Sequence, residues 1–135
     1  MTLKTILNAE DNAANRKIVR DLLEWHGYRV VEAVDGPDAV ELAQREVPDL
    51  ILMDIQLPGI SGYDAASAIR RDARLVHVPI IAVTSYGMIG DEKRAYEAGC
   101  DDYVVKPFRP RTLIRRIERL LDRAASSAAM EEERS

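Results

Sequence analysis

A doubly wound α/β domain, with one five-stranded parallel sheet and five flanking helices, is the fold class this sequence predicts, and three observations predict it. Short β-branched or apolar runs alternate with longer amphipathic stretches along the whole chain. Near-continuous apolar runs such as Leu50-Ile51-Leu52-Met53 imply strands buried on both faces, as in a parallel sheet sandwiched by helices. At 135 residues the chain has the size of one domain.

Each element follows in order. Thr5–Ala9 is the first apolar run, and Asn12–His26 after it sets Ile18, Val19, Leu22, Leu23 and Trp25 on one helical face, so that Trp25, like Tyr28, reads as core or turn packing. Arg29–Ala33 is the second run. Gly36–Glu46 follows, with Ala39, Val40, Ala43 and Val47 at helical spacing. Leu50–Met53, Ile80–Val83 and Tyr103–Val105 supply three more strands, separated by Ala-rich helical stretches at Gly62–Asp72 and Gly90–Ala98. The last helix carries the stripe Leu113, Ile114, Ile117, Leu120 and Leu121. Beyond Asp122 the apolar stripe stops, which predicts a domain over 1–123 and a frayed or disordered tail over 124–135.

Charge and composition narrow the function. With 19 basic and 23 acidic residues the net charge is −4, so an electrostatic grip on nucleic acid is not expected. The longest uncharged stretch, Val76–Gly90, is broken by His77, Pro79, Thr84, Ser85 and Gly87 and is too short for a membrane span. No signal-peptide apolar region develops before Glu10-Asp11, and a cytoplasmic location is expected. Cys100 is a lone cysteine that closes no internal disulfide and reads as a small buried filler.

In an open α/β sheet, chemistry gathers beyond the carboxyl ends of the strands, where strand order reverses. Here those ends carry Glu10-Asp11, Asp54, Thr84-Ser85 and Lys106-Pro107. If the order is 2-1-3-4-5, the flavodoxin-like arrangement, strands one and three are neighbours and Glu10, Asp11 and Asp54 share one pocket. Three carboxylates repel one another unless a hard divalent cation neutralises them, and Mg²⁺ fits such a site best because it commonly bridges carboxylates to a phosphate. Lys106 would offer a point charge to phosphoryl oxygens and Thr84 a hydrogen bond. The chain has no G-x-x-x-x-G-K-S/T and no G-x-G-x-x-G, so the phosphate is not expected as a nucleotide cradled here. Phosphoryl transfer onto a carboxylate of the protein itself is the chemistry these residues point to.

Four segments carry a resemblance: Glu10-Asp11-Asn12, the stretch from Pro48 to Gly62 around Asp54, Pro79 to Ser85, and Ala98 to Pro107. In this order and spacing the sequence resembles the receiver domain of two-component response regulators from about Thr5 to Asp122, in its stand-alone, single-domain form. The resemblance implies that Asp54 accepts phosphate from a histidine kinase or phosphotransfer protein, and that Glu10, Asp11, Asp54 and the Gln56 carbonyl place Mg²⁺. It also implies that Thr84 and Lys106 bind the phosphoryl oxygens, that Lys106-Pro107 is a cis peptide, and that Thr84 and Tyr103 form a switch. Gln56 and Tyr86, two residues after Asp54 and Thr84, are expected to flank the acyl phosphate and govern its lifetime. Output would pass to other signalling proteins through the face of helix four, strand five and helix five.

Plainer readings stand beside these. Asp11 or Asn12 suits a helix N-cap, Tyr103 suits edge packing with its hydroxyl in water, and the arginines from Arg109 to Arg123 suit a solvated helix face as well as a partner surface. A Mg²⁺-dependent phosphatase lacks its expected D-x-D, since Gln56 stands where the second acid would be. A constitutive binding module would not need Glu10, Asp11, Asp54, Thr84 and Lys106 together. Asn8 departs from the family pattern, in which this strand position is aliphatic: either its amide hydrogen-bonds near the acidic pocket or the first strand is locally unusual.

Overall fold

The computed structural model describes residues 3–85 and 87–134, the last seven by their backbone alone. Five strands, β1 (Thr5–Ala9), β2 (Arg29–Ala33), β3 (Leu50–Asp54), β4 (Ile80–Thr84) and β5 (Asp102–Val105), alternate with five helices. These are α1 (Ala13–Trp25), α2 (Gly36–Glu46), α3 (Gly62–Arg70), α4 (Asp91–Glu97) and α5 (Pro110–Arg134), with a short 3₁₀ turn at Ala73–Leu75. All neighbouring strands pair in parallel, in the order β2-β1-β3-β4-β5.

The apolar strands divide their residues between two cores, as a period of two requires. Leu7, Ala9, Ile51, Met53, Ile80 and Ala82 pack with α2, α3 and α4, and Ile6, Leu50, Leu52, Ile81, Val83 and Val104 pack with α1 and α5. Every residue of β3 and β4 is buried, which accounts for their unbroken apolar composition.

Helix starts follow the capping chemistry. Asn12, Asp35 and Ser61 each accept a hydrogen bond from the backbone N–H three residues on, so Asn12 and not Asp11 caps α1. α4 begins at Gly90, whose φ of 93° lies in the left-handed region, and it receives no side-chain cap. Gly62 opens α3 against the end of β3: its N–H donates to the Ile55 carbonyl at 2.9 Å, and a Cβ there would collide with the Asp54 carbonyl oxygen. Glycine at that position lets α3 start directly beneath the backbone that carries Asp54.

Three expectations differ from the observed fold. Trp25 is not core or turn packing but 87% exposed, and Ile18 is 67% exposed, because α1 buries Leu23 with Val19 and Leu22 half-buried beside it, a narrower stripe than the sequence suggests. α3 stops at Arg70 rather than Asp72, since Asp72 instead accepts from Arg74 N–H and caps the 3₁₀ turn. α5 runs on to Arg134, through the stretch where the sequence predicts fraying; that stretch is rich in alanine, the strongest helix former, and holds no Pro or Gly to stop a helix. Among the described residues no helix is long and apolar enough to cross a membrane.

Candidate functional site

The site lies at the carboxyl edge of the sheet, where β1 and β3 are adjacent and their connections leave in opposite directions. β1 delivers Glu10 and Asp11, β3 delivers Asp54, and β5 delivers Lys106 from the far side of β4. One ligand oxygen from each of Glu10, Asp11 and Asp54 lies within 4.8 Å of the others, as the strand order predicts. Glu10 and Asp54 are buried and Asp11 is exposed, so the cluster opens to solvent on the Asp11 side.

Lys106 Nζ bridges the two buried acids, donating to Asp54 Oδ2 at 3.0 Å and to Glu10 Oε1 at 3.1 Å. Asn15 Nδ2 also donates to Glu10 Oε1, at 2.9 Å, and the Gln56 N–H donates to Asp54 Oδ1 at 2.8 Å. Asp54 Oδ2 therefore faces the ammonium while Oδ1 is held by backbone. The Lys106–Pro107 peptide bond is cis.

The charges divide unequally. Burial pushes Glu10 up to about 7, helped by its hydrogen bond with Asp54 and that group's charge. Burial works against the Asp54 carboxylate as well, but hydrogen bonds from Glu10, Lys106 and the Gln56 amide hold it below its ordinary value. Lys106 loses by burial and gains more from Asp54 and Glu10, so its pKa lies above the ordinary one. Asp54 is thus the carboxylate kept ionised at the base of the pocket, which is the condition for a nucleophilic oxygen.

Thr84 is fully buried at the end of β4, and the Gln56 side-chain amide donates to its hydroxyl at 2.9 Å. Tyr103 sits half-buried in β5 against the α2–α4 core, and its hydroxyl oxygen is closed off from water with no hydrogen-bond partner among the described residues. The reading of Tyr103 as edge packing with a wetted hydroxyl is therefore corrected. Tyr86 lies outside the described residues. Cys100 is buried and its thiol is pushed up to about 12 by burial, in keeping with a filler.

Residue-by-residue reading missed several contacts. Asp102, 7% exposed, accepts from Arg116 at 2.6 Å and from the Tyr103 N–H at 2.8 Å, so one member of the arginine run clasps β5 to α5. Arg70 donates to the carbonyls of Leu75, Val78 and Gly99 and to the Asp101 carboxylate, tying the end of α3 to both sides of β4. An apolar groove of about 500 Å³ runs from Lys106 along α1, lined by Ile18, Leu22, Pro107, Phe108 and Pro110. The exposed apolar residues of α1 were the available signal for it.

Comparison with known proteins places this arrangement. Residues 6–118 match the response regulator receiver domain family. The chain is 45% identical over 105 residues to the polar-differentiation response regulator DivK of Brucella ovis, an alignment spanning 78% of this chain and 85% of that protein. The fold matches a CheY-like receiver domain protein of Methanospirillum hungatei with a TM-score of 0.87 at 28% identity, covering 93% of this chain and 99% of the other. It also matches the receiver domain of a sensor histidine kinase of Pseudomonas aeruginosa, solved with a magnesium ion coordinated in its active-site cleft, with a TM-score of 0.84 at 39% identity over 90% of this chain and 99% of that one.

Proposed function

This chain belongs to the response regulator receiver domain family, and from that premise we propose that it is a phosphorylation switch or phosphorelay shuttle whose acceptor is Asp54. The observation that carries the reading is the Lys106 ammonium held at 3.0 Å from Asp54 and 3.1 Å from Glu10, in a pocket that opens on Asp11. The phosphoryl group comes from the phosphohistidine of a kinase or phosphotransfer protein: an Asp54 oxygen attacks the phosphorus as its bond to the histidine nitrogen breaks, and the donor imidazole leaves.

The donor set suits a hard divalent cation: three carboxylates from two strands, with the Gln56 carbonyl two positions beyond Asp54. Mg²⁺ bound there would neutralise the pocket and screen the charge of the incoming phosphoryl oxygens. Glu10, Asp11, Asp54 and Gln56 would hold it. Lys106 supplies a second positive charge to the phosphoryl oxygens, and Thr84 a hydroxyl. By their positions in sequence, two residues after Asp54 and two after Thr84, Gln56 and Tyr86 would limit the approach of water and set the lifetime of the acyl phosphate, so hydrolysis by the protein's own site is slow but built in.

Two surfaces suit partners. The groove lined by Ile18, Leu22 and Phe108 adjoins Lys106, so a donor protein seated there would bring its histidine to the mouth of the pocket. Output would use the face of α4, β5 and α5, where Met88, Ile89, Tyr96 and Val105 are exposed. Arg111 and Arg115 line a hollow with Leu22 and His26 of α1, so charge reversal at Arg119, which lies 4.0 Å from Asp102 of β5, is the change that weakens binding there without reducing phosphorylation. The receiver unit ends by Arg123, and a chain truncated there keeps the fold and the acceptor.

The deciding experiment is labelling with a small phosphodonor. Wild type takes up one phosphoryl group in Mg²⁺ and none after chelation, and Asp54→Asn takes up none. Full labelling of Asp54→Asn, or labelling that survives the chelator, overturns the reading.

A further inference from the structure

β1 places Asn8 and Glu10 two positions apart and so on the same face of the sheet, the face covered by α1 and α5. Both are 4% exposed. Each also keeps one polar atom that no described residue pairs: Asn8 Nδ2, a donor, and Glu10 Oε2, an acceptor. The other Glu10 oxygen, Oε1, is held by Asn15 and Lys106.

Both residues line the same cavity of about 30 Å³, whose walls also include Asp54 and Lys106 on one side and Leu52, Val83 and Phe108 on the other. A buried water needs roughly 10–15 Å³ of such space and two to four polar partners, and buried polar groups that find no partner in the protein are the ones that hold such waters. The remainder of β1 that faces the cores, Ile6, Leu7 and Ala9, is apolar, so the amide of Asn8 has no packing reason to be there.

We propose that this cavity holds one permanently bound water, which accepts from Asn8 Nδ2 and donates to Glu10 Oε2, and that Asn8 is through it a positioning residue for Glu10. With Oε1 held by Asn15 and Lys106 and Oε2 by the water, both carboxylate oxygens are fixed and the plane of the group is set before a cation arrives. The proposal rests on the reading of Glu10 as a cation-holding carboxylate. Asn8 never touches the cation itself.

The test pairs a high-resolution crystal structure of the wild type with Mg²⁺ titrations of the unphosphorylated protein by calorimetry. A water within hydrogen-bond distance of both Asn8 and Glu10 is expected. Asn8→Leu, of similar volume, should displace it and weaken Mg²⁺ about tenfold with no fall in melting temperature, as loss of an outer support to a metal ligand does. Asn8→Ser, which keeps a hydroxyl and leaves more room, should retain the water and most of the affinity. A dry cavity in the wild type overturns the inference, as does Asn8→Leu binding Mg²⁺ like the wild type while Glu10→Gln binds it weakly. If Glu10→Gln leaves Mg²⁺ affinity unchanged, it is the reading of the acidic pocket that falls.

Discussion

The Gln56 side chain donates to the Thr84 hydroxyl at 2.9 Å across 28 positions of sequence, and so restrains the hydroxyl that the proposed switch would turn toward a phosphoryl group on Asp54. For Thr84 to turn toward the phosphate, this bond must break. A neutral hydrogen bond of this kind contributes about 1 kcal/mol net. Gln56→Ala should therefore bind a phosphoryl mimic such as beryllofluoride about fivefold more tightly than the wild type. Unchanged or weaker binding, measured by titration in Mg²⁺, would show that Gln56 does not restrain Thr84.

Lys106 is a resident cation between Glu10 and Asp54. Lys106→Ala removes its positive charge from beside Asp54 and Glu10, so Mg²⁺ should bind at least about threefold more tightly. The same variant should bind the phosphoryl mimic less well, because the ammonium that meets its oxygens is gone. Calorimetric titrations with the metal and then the mimic separate the two effects.

Arg116 and Asp102 join α5 to β5 at 2.6 Å, with Asp102 almost wholly buried. Arg116→Ala leaves that carboxylate short of a donor and should cost about 1–3 kcal/mol in denaturant unfolding. Arg119, 4.0 Å from the same carboxylate and largely exposed, should cost less than about 1 kcal/mol on the same change.

Cys100 should resist alkylation at pH 8 in the folded protein and react fully in denaturant, because burial keeps the thiol neutral up to about 12. The folded pKa lies above the unfolded value near 9, so the stability this group contributes is complete below about pH 9 and is lost as pH rises toward 12. A Cys100→Ala variant should lack that alkaline decline.

The βα alternation was legible because the central strands had to be apolar on both faces, and Asp54 stood out because it closes such a strand. The acidic cluster was legible once the strand order placed β1 beside β3. What periodicity could not resolve was how much of an apolar face is covered: Ile18, Leu22 and Trp25 lie at the spacing of a core stripe, but α1 turns only part of that stripe inward. Arg116 was hidden for a related reason, since in a run of six arginines only the position of Asp102 on β5 singles it out. The bond between Gln56 and Thr84 depends on side-chain reach at the sheet edge, which no spacing encodes.

The division of strand residues between the two cores has a directional consequence. Glu10, Asp54 and Lys106 fall in step with the side chains that face α1 and α5, whereas Thr84 and Tyr103 fall in step with those that face α2, α3 and α4. Under the proposed function the sheet becomes a partition between a charging side and a reading side, joined over its rim, where Gln56 and Thr84 meet, rather than through the wall. Changes beneath α1 and α5 should then bear most on how the charge is acquired and kept, and changes beneath α4 most on how it is heard.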